Sequence, residues 1–220
     1  MAELDHVFCL CPVNAHAAAQ ALHQVGLTEG SPNRHEGQGT ACRRFFFDSA
    51  YIELLWVSDP KLAHSAATSR TRLWERWSRR TSGACPFGIV LRAGAAAGST
   101  GCPFPSWPYR PSYLPPDLSI DFAEGTTLEE PEYMYLGFQR DRAREGMAPT
   151  SHKIPANQLT HVNVGLPAPS SRSAAAQTLQ TLGLISLTVA DEYVISLTFD
   201  SAVSRKTADL RPAVPIILHW

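Results

Sequence analysis

The chain has 220 residues, 44% of them hydrophobic and 18% charged, with a formal net charge of −1. That length and balance describe one domain, or two small ones sharing a core, and exclude a disordered polymer. Near-neutral charge without a dominant basic block excludes nucleic acid as a partner, and no apolar run is long enough to span a membrane.

Residues 4–11 form a short, apolar, β-rich run before Pro12 and read as a strand. Asn14 is placed to cap a helix over 15–25, rich in alanine, leucine and glutamine, which Gly26 closes. Turn residues crowd 29–39, and strands follow at 40–47 and 50–57 around a tight Asp48–Ser49 turn. Residues 1–58 therefore read as one βαβββ unit. A stretch of different character, an insert, fills 59–157. Its helix over 71–80 carries Trp74 and Trp77 one turn apart, and Arg76, Arg79 and Arg80 read as a solvated face. Residues 86–92 read as a strand, and 94–101 as an alanine- and glycine-rich connection. Residues 103–116 read as a stiff surface segment, since their prolines bar them from helices and central strands. Another strand is expected at 130–138 and a charged link at 139–147. The last region, 158–220, reads as a strand at 159–166, a helix at 171–182, and strands at 185–190, 193–199 and 214–220.

The two ends share a pattern. Leu4, His6, Val7 and Pro12 recur as Leu159, His161, Val162 and Pro167. Ala17-Ala18-Ala19-Gln20 recurs as Ala174-Ala175-Ala176-Gln177, and Phe47-Asp48-Ser49-Ala50 as Phe199-Asp200-Ser201-Ala202. The strand Ile52-Glu53-Leu54-Leu55-Trp56 aligns with Ile216-Ile217-Leu218-His219-Trp220. Matches in one order point to two related units framing the insert.

The chemistry-bearing candidates are buried ionisable residues. Glu53 sits among apolar neighbours, as do His6 and His161, and a charge so placed needs a partner or a cation. Two imidazoles and one carboxylate suffice to hold a divalent metal with open positions. Trp107, Tyr109, Arg110 and Tyr113 form a second group, able to roof a cavity and touch an apolar substrate, or simply to pack the insert onto the domain. His16, His23, His35, His64 and His152 lie in polar or helical settings and read as surface residues. Cys9 and Cys11 read as buried apolar thiols. Five cysteines without framework spacing, and an N-terminus without a secretory pattern, point to a reduced, cytoplasmic protein.

The motifs Leu4-Asp5-His6-Val7, Gly39-Thr40-Ala41, Ala50-Tyr51-Ile52-Glu53-Leu54 and Leu159-Thr160-His161-Val162 resemble the glyoxalase-like, or vicinal oxygen chelate, superfamily. The resemblance implies an α+β fold of paired βαβββ units forming a cupped mixed sheet. It implies a metal site of His6, Glu53 and His161, with Glu53 also the catalytic candidate. The ion implied is iron, manganese, nickel or zinc, serving lyase, isomerase or dioxygenase chemistry on a substrate with adjacent oxygens. The fourth ligand position falls on Ile217, which cannot coordinate, and His219 shares its strand face. Gly88 in Phe87-Gly88-Ile89 stands where another first strand would carry a histidine, so this segment and the C-terminal copy both remain candidates to pair with the first unit. The alternatives are a metal-free cup that binds or sequesters a small ligand, and an interaction module using the proline-rich segment. Relatives often dimerise, so a homodimer is expected.

Overall fold

Six consecutive residues of β1 (Ala2–Leu10), from Asp5 to Leu10, are buried, as an apolar strand covered on both faces requires. The computed structural model describes residues 2–94, 101–138, 149–167 and 172–220. Most of the predicted connection at 94–101, the predicted link at 139–147 and the first residue of the predicted last helix, Ser171, lie outside the described residues. Helix α1 (His16–Val25) buries Ala18, Ala19 and Leu22 along one stripe. It ends at Gly26, whose φ of 109° and N–H bonds to the Leu22 and His23 carbonyls make a left-handed cap. Asn14 does not cap it. With φ 65° Asn14 sits in a short 3-10 turn, and α1 begins without a side-chain cap. Strands β2 (Asn33–His35), β3 (Thr40–Phe46) and β4 (Tyr51–Val57) complete the first unit.

Two short helices, α2 (Pro60–Ala63) and α3 (Leu73–Ser78), lead into β5 (Phe87–Ala93), β6 (Ser106–Tyr109), β7 (Ile120–Ala123) and β8 (Glu132–Leu136). These strands join the first unit in one eight-stranded mixed sheet, ordered β2-β3-β4-β1-β5-β8-β7-β6. The expected α+β fold with a cupped mixed sheet is present. Its second half is the 87–136 segment and not the C-terminal region, because β1 pairs antiparallel with β5, Val7 opposite Ile89 and Phe8 opposite Gly88. Each unit repeats one rule, with β4 parallel to β1 and β8 parallel to β5. Both halves of the cup come from one chain. The proline-bearing strand β6 lies at the sheet edge, where a missing N–H costs no ladder bond.

The C-terminal region builds its own five-stranded sheet from β9 (Leu159–Leu166), β10 (Ser186–Val189), β11 (Val194–Phe199), β12 (Thr207–Asp209) and β13 (Ile216–His219). Its order is β10-β9-β11-β13-β12. Here the strand after helix α4 (Ala174–Thr181) lies directly beside β9 and parallel to it. In the first unit the parallel neighbour of β1 is the last strand, β4. The shared sequence pattern of the two ends therefore folds into two different topologies.

One hydrophobic core joins this second sheet, α1 and the outer face of the eight-stranded sheet. The rings of Phe47 and Phe199 meet at 4.4 Å, and Leu159 N–H donates to Ser49 Oγ at 3.0 Å. His152 ties the segment before β9 to the first unit. Its Nδ1 accepts from Thr28 N–H at 3.0 Å, which leaves Nε2 to donate to the Phe46 carbonyl at 3.0 Å. His152 is thus a neutral, half-buried clasp and not a surface residue. Burial lowers its pKa below the ordinary 6.5 despite that carbonyl. A group depressed in the folded state stabilises fully above the unfolded pKa and loses that contribution as pH falls through the folded one. Raising pH from about 5 to about 7.5 should therefore stabilise the wild type more than a His152→Gln variant. Identical pH slopes in chemical denaturation would reject the clasp.

Helix α3 sets Leu73 against the inner face of the cup. Trp77 Nε1 donates to the Cys11 carbonyl at 2.7 Å. Arg79 is exposed and Arg80 covers the Trp77 ring, but Arg76 is fully buried and paired with Glu132 at 2.8 Å. The predicted solvated face fails at Arg76 because α3 turns that position down onto β8.

Candidate functional site

Alternation along β1 and β4 turns His6 and Phe8, and Tyr51, Glu53 and Leu55, to the inner face of the cup. They line a cavity of about 370 Å³ together with residues of β2, β5, β7 and β8. Glu53 is 4% exposed and His6 8% exposed, so neither meets bulk water. His6 Nε2 lies 3.3 Å from Glu53 Oε2, its Nδ1 lies 2.6 Å from Asp5 Oδ1, and its ring stacks on Tyr51 at 4.2 Å. Burial pushes the Glu53 carboxyl upward. Bonding to His6, the charges of His6 and His35, and the Cys42 thiol outweigh it and bring the carboxyl down to about 2. Burial also works against a charged His6, but Asp5 and Glu53 prevail and its pKa is raised. His6 thus lies between two carboxylates, and both favour its protonated form.

His35, read from its polar surroundings as a surface residue, completes the group. Its Nε2 lies 3.8 Å from Glu53 Oε1, and its side chain is only 16% exposed. A hydrogen-bond chain holds it from behind. Tyr113 O–H donates to Gln38 Oε1 at 3.2 Å, Gln38 Nε2 donates to Thr40 Oγ1 at 2.8 Å, and Thr40 Oγ1 meets His35 Nδ1 at 2.9 Å. Ser112 Oγ adds a bond to the Glu36 carbonyl at 3.0 Å, so the proline-rich loop before β7 straps down onto the β2–β3 turn. Gln38 is a buried polar residue that the sequence did not single out, and Thr40, also buried, entered only as part of the Gly39-Thr40-Ala41 motif. Cys42, on β3, is buried behind Glu53, and burial drives its thiol well above the ordinary range. The donor atoms of His35, Cys42 and Glu53 lie within 4.8 Å of one another. That imidazole, carboxylate and thiol are donors suited to a borderline divalent ion, so the residues fit a metal, and the His6 imidazole adjoins them at Glu53.

Of the predicted site residues, the structure brings His6 and Glu53 together and leaves His161 elsewhere. His161 is exposed on β9 in the second sheet, its Nε2 2.7 Å from Ser186 Oγ. His219, on β13, is engaged with Thr207 Oγ1 at 3.0 Å, and Ile217 lies on the same strand. Among the aromatic and cationic candidates, Tyr113 lines the cavity. Trp107 stacks on Phe122 at 5.2 Å and lies under the Arg70 guanidinium. Tyr109 is buried edge-on against Phe122, and Arg110 is exposed. Packing, the bland alternative, accounts for Trp107 and Tyr109.

The site is lopsided. Turning one unit onto the other about the Val7–Ile89 pair carries His6 onto Gly88 and Glu53 onto Met134. The second unit therefore offers no ligand. Its strands contribute Val90, Ile120, Phe122, Met134 and Leu136, all apolar, and the loop between β6 and β7 adds Tyr113, whose hydroxyl is taken up by Gln38.

Among the described residues no helix is long and apolar enough to cross a membrane. No curated protein matches the sequence. Among solved structures, a hypothetical protein from Staphylococcus aureus is similar over 100% of this chain and 99% of its own, at 10% identity and a TM-score of 0.54, a likeness of fold alone. A xylose isomerase-like TIM barrel/4-hydroxyphenylpyruvate dioxygenase fusion protein is matched over 92% of this chain and 37% of its own, at 8% identity and a TM-score of 0.47. The model of the glyoxalase-like domain matches residues 4–183. With that match across most of the chain, and with paired units closing a cup around an imidazole and carboxylate cluster, the protein belongs to the glyoxalase-like domain family.

Proposed function

We propose that this chain is a small-molecule enzyme that holds one divalent ion on His6, His35 and Glu53 and acts on a substrate with adjacent oxygens. One arrangement carries the reading. Both imidazoles turn Nε2 toward the Glu53 carboxylate, while their Nδ1 atoms are anchored on Asp5 and Thr40. Anchoring the far nitrogen is how ligand histidines are oriented and their tautomer chosen. When bound, the ion supplies Lewis-acid polarisation of a substrate oxygen, for lyase, isomerase or dioxygenase chemistry. The chain's own residues orient and shield. Tyr51 supports the His6 ring, the Tyr113 strap covers the mouth, and the apolar half excludes water, which strengthens every charge interaction inside.

A second reading rests on the His6–Glu53 contact itself. At 3.3 Å the pair satisfies its own charges without an ion. It then serves as a metal-free acid–base pair or as the polar end of a ligand-binding cup.

Elemental analysis of protein purified without chelator separates the two. Wild type should carry about one equivalent of a divalent ion, which Glu53→Gln loses and His161→Ala retains. Cys42→Ser should also retain it, and loss there would move the ligand set to His35, Cys42 and Glu53. A wild type that stays empty after reconstitution with iron(II), manganese, nickel and zinc would sink the metal reading.

A further inference from the structure

We infer that the ligand is a one-ended amphiphile, with a polar, acidic head seated on the first unit and an apolar body lying along the second. The head's contact with an ion rests on the function proposed above, and the body's seat does not. The first observation is the division of the cavity wall. His6, Asn33, Arg34, His35, Gln38 and Glu53 all come from the first unit. Among the described lining residues Arg34, exposed on the edge strand β2, is the only lysine or arginine, and it stands at this polar end of the cavity.

The second observation is that the strands of the opposite wall offer no polar side chain to the cavity for a second polar end. The position equivalent to His6 is Gly88, and the Phe8 ring lies over it so closely that a Cβ would fall 2.0 Å from a ring carbon. The position equivalent to Glu53 is Met134. Phe8, Val90, Phe122, Met134 and Leu136 form one continuous apolar cluster on this face. A body rich in amides and charges would leave its polar groups unpaired there, whereas alkyl or aromatic carbon would be welcome.

Isothermal titration calorimetry with 2-hydroxybutanoate, 2-hydroxyhexanoate and 2-hydroxyoctanoate tests this, with glutathione as the polar-bodied probe. Each probe is titrated into manganese-loaded and into chelator-treated protein. Affinity should rise about fourfold per added methylene until the cavity is full, and glutathione should bind more weakly than 2-hydroxyoctanoate. Ile120→Ser, at a partly exposed lining position, should weaken 2-hydroxyoctanoate several-fold and leave 2-hydroxybutanoate unchanged. Met134→Gln should do the same, so the test does not hang on one variant folding. A slope with chain length that persists when manganese makes no difference supports this inference while the metal reading fails. A flat series in both states, no binding by any member, glutathione binding as tightly as 2-hydroxyoctanoate, or variants that weaken all chain lengths equally would overturn it.

Discussion

Arg76→Met should destabilise the fold by roughly 3–5 kcal/mol, the largest loss expected of any single change outside the apolar core. Arg76 is fully buried and its guanidinium is almost wholly spoken for. Nε binds Glu132 at 2.8 Å, one terminal nitrogen donates to the Glu130 carbonyl at 2.6 Å, and the other donates to the Thr127 carbonyl at 2.8 Å. Removing it strands a carboxylate that is 2% exposed on the central strand β8. Burial already pushes the Glu132 carboxyl upward, with Arg76 as the principal opposing charge. Without that charge Glu132 takes up a proton, and the 127–130 turn loses the bonds Arg76 donates to the Thr127, Leu128 and Glu130 carbonyls. Pairing Arg76→Met with Glu132→Leu should recover much of the loss, since an apolar pair of similar size carries no desolvation cost. Urea denaturation measures both, and a single-variant loss under about 1 kcal/mol would show that the pair is better solvated than its burial implies.

Gly88→Val should cost roughly 1–3 kcal/mol through overpacking, and more if the Phe8 ring cannot move aside. The ring atoms of Phe8 stand 2.0 and 2.1 Å from where the first side-chain carbon would lie. Both strands are central and buried, so neither backbone can yield easily. Phe8→Ala alone should cost roughly 3–5 kcal/mol by leaving a cavity. Combined with Gly88→Val it should cost less than the sum, because the new methyl groups enter the space the ring vacates. Strict additivity in thermal or chemical denaturation would show that the two residues do not share that space.

The first unit was legible from its residues because its signals are local. An apolar run before Pro12, an alanine-rich helix closed by Gly26, and a strand with one carboxylate among apolar neighbours each specify their own element. His6 and Glu53 stood out for the same reason. His35 did not, because Asn33-Arg34-His35-Glu36 is polar throughout. Its burial comes from Tyr113 and Ser112, many residues away, strapping the loop down. His161 misled in the opposite sense. Leu159-Thr160-His161-Val162 reads much like Leu4-Asp5-His6-Val7, yet Leu159 and Val162 face the shared core and His161 faces solvent. Which face of a strand is covered depends on what packs against its sheet, and four residues cannot carry that information. The choice between the Gly88 segment and the C-terminal copy was likewise a matter of pairing at a distance. The close fit of the Phe8 ring over Gly88 is visible only once the two strands lie side by side.

The strand order of the second sheet bears on where this protein can be cut. The family model stops at residue 183, after β9 and α4, yet β9 lies between β10 and β11, both of which follow that point. A fragment trimmed to the matched region would keep every wall of the cavity and strip β9 of both hydrogen-bonding neighbours. Its two unsatisfied edges would then recruit other copies, and the shortened protein would precipitate for want of a sheet that contributes nothing to the pocket.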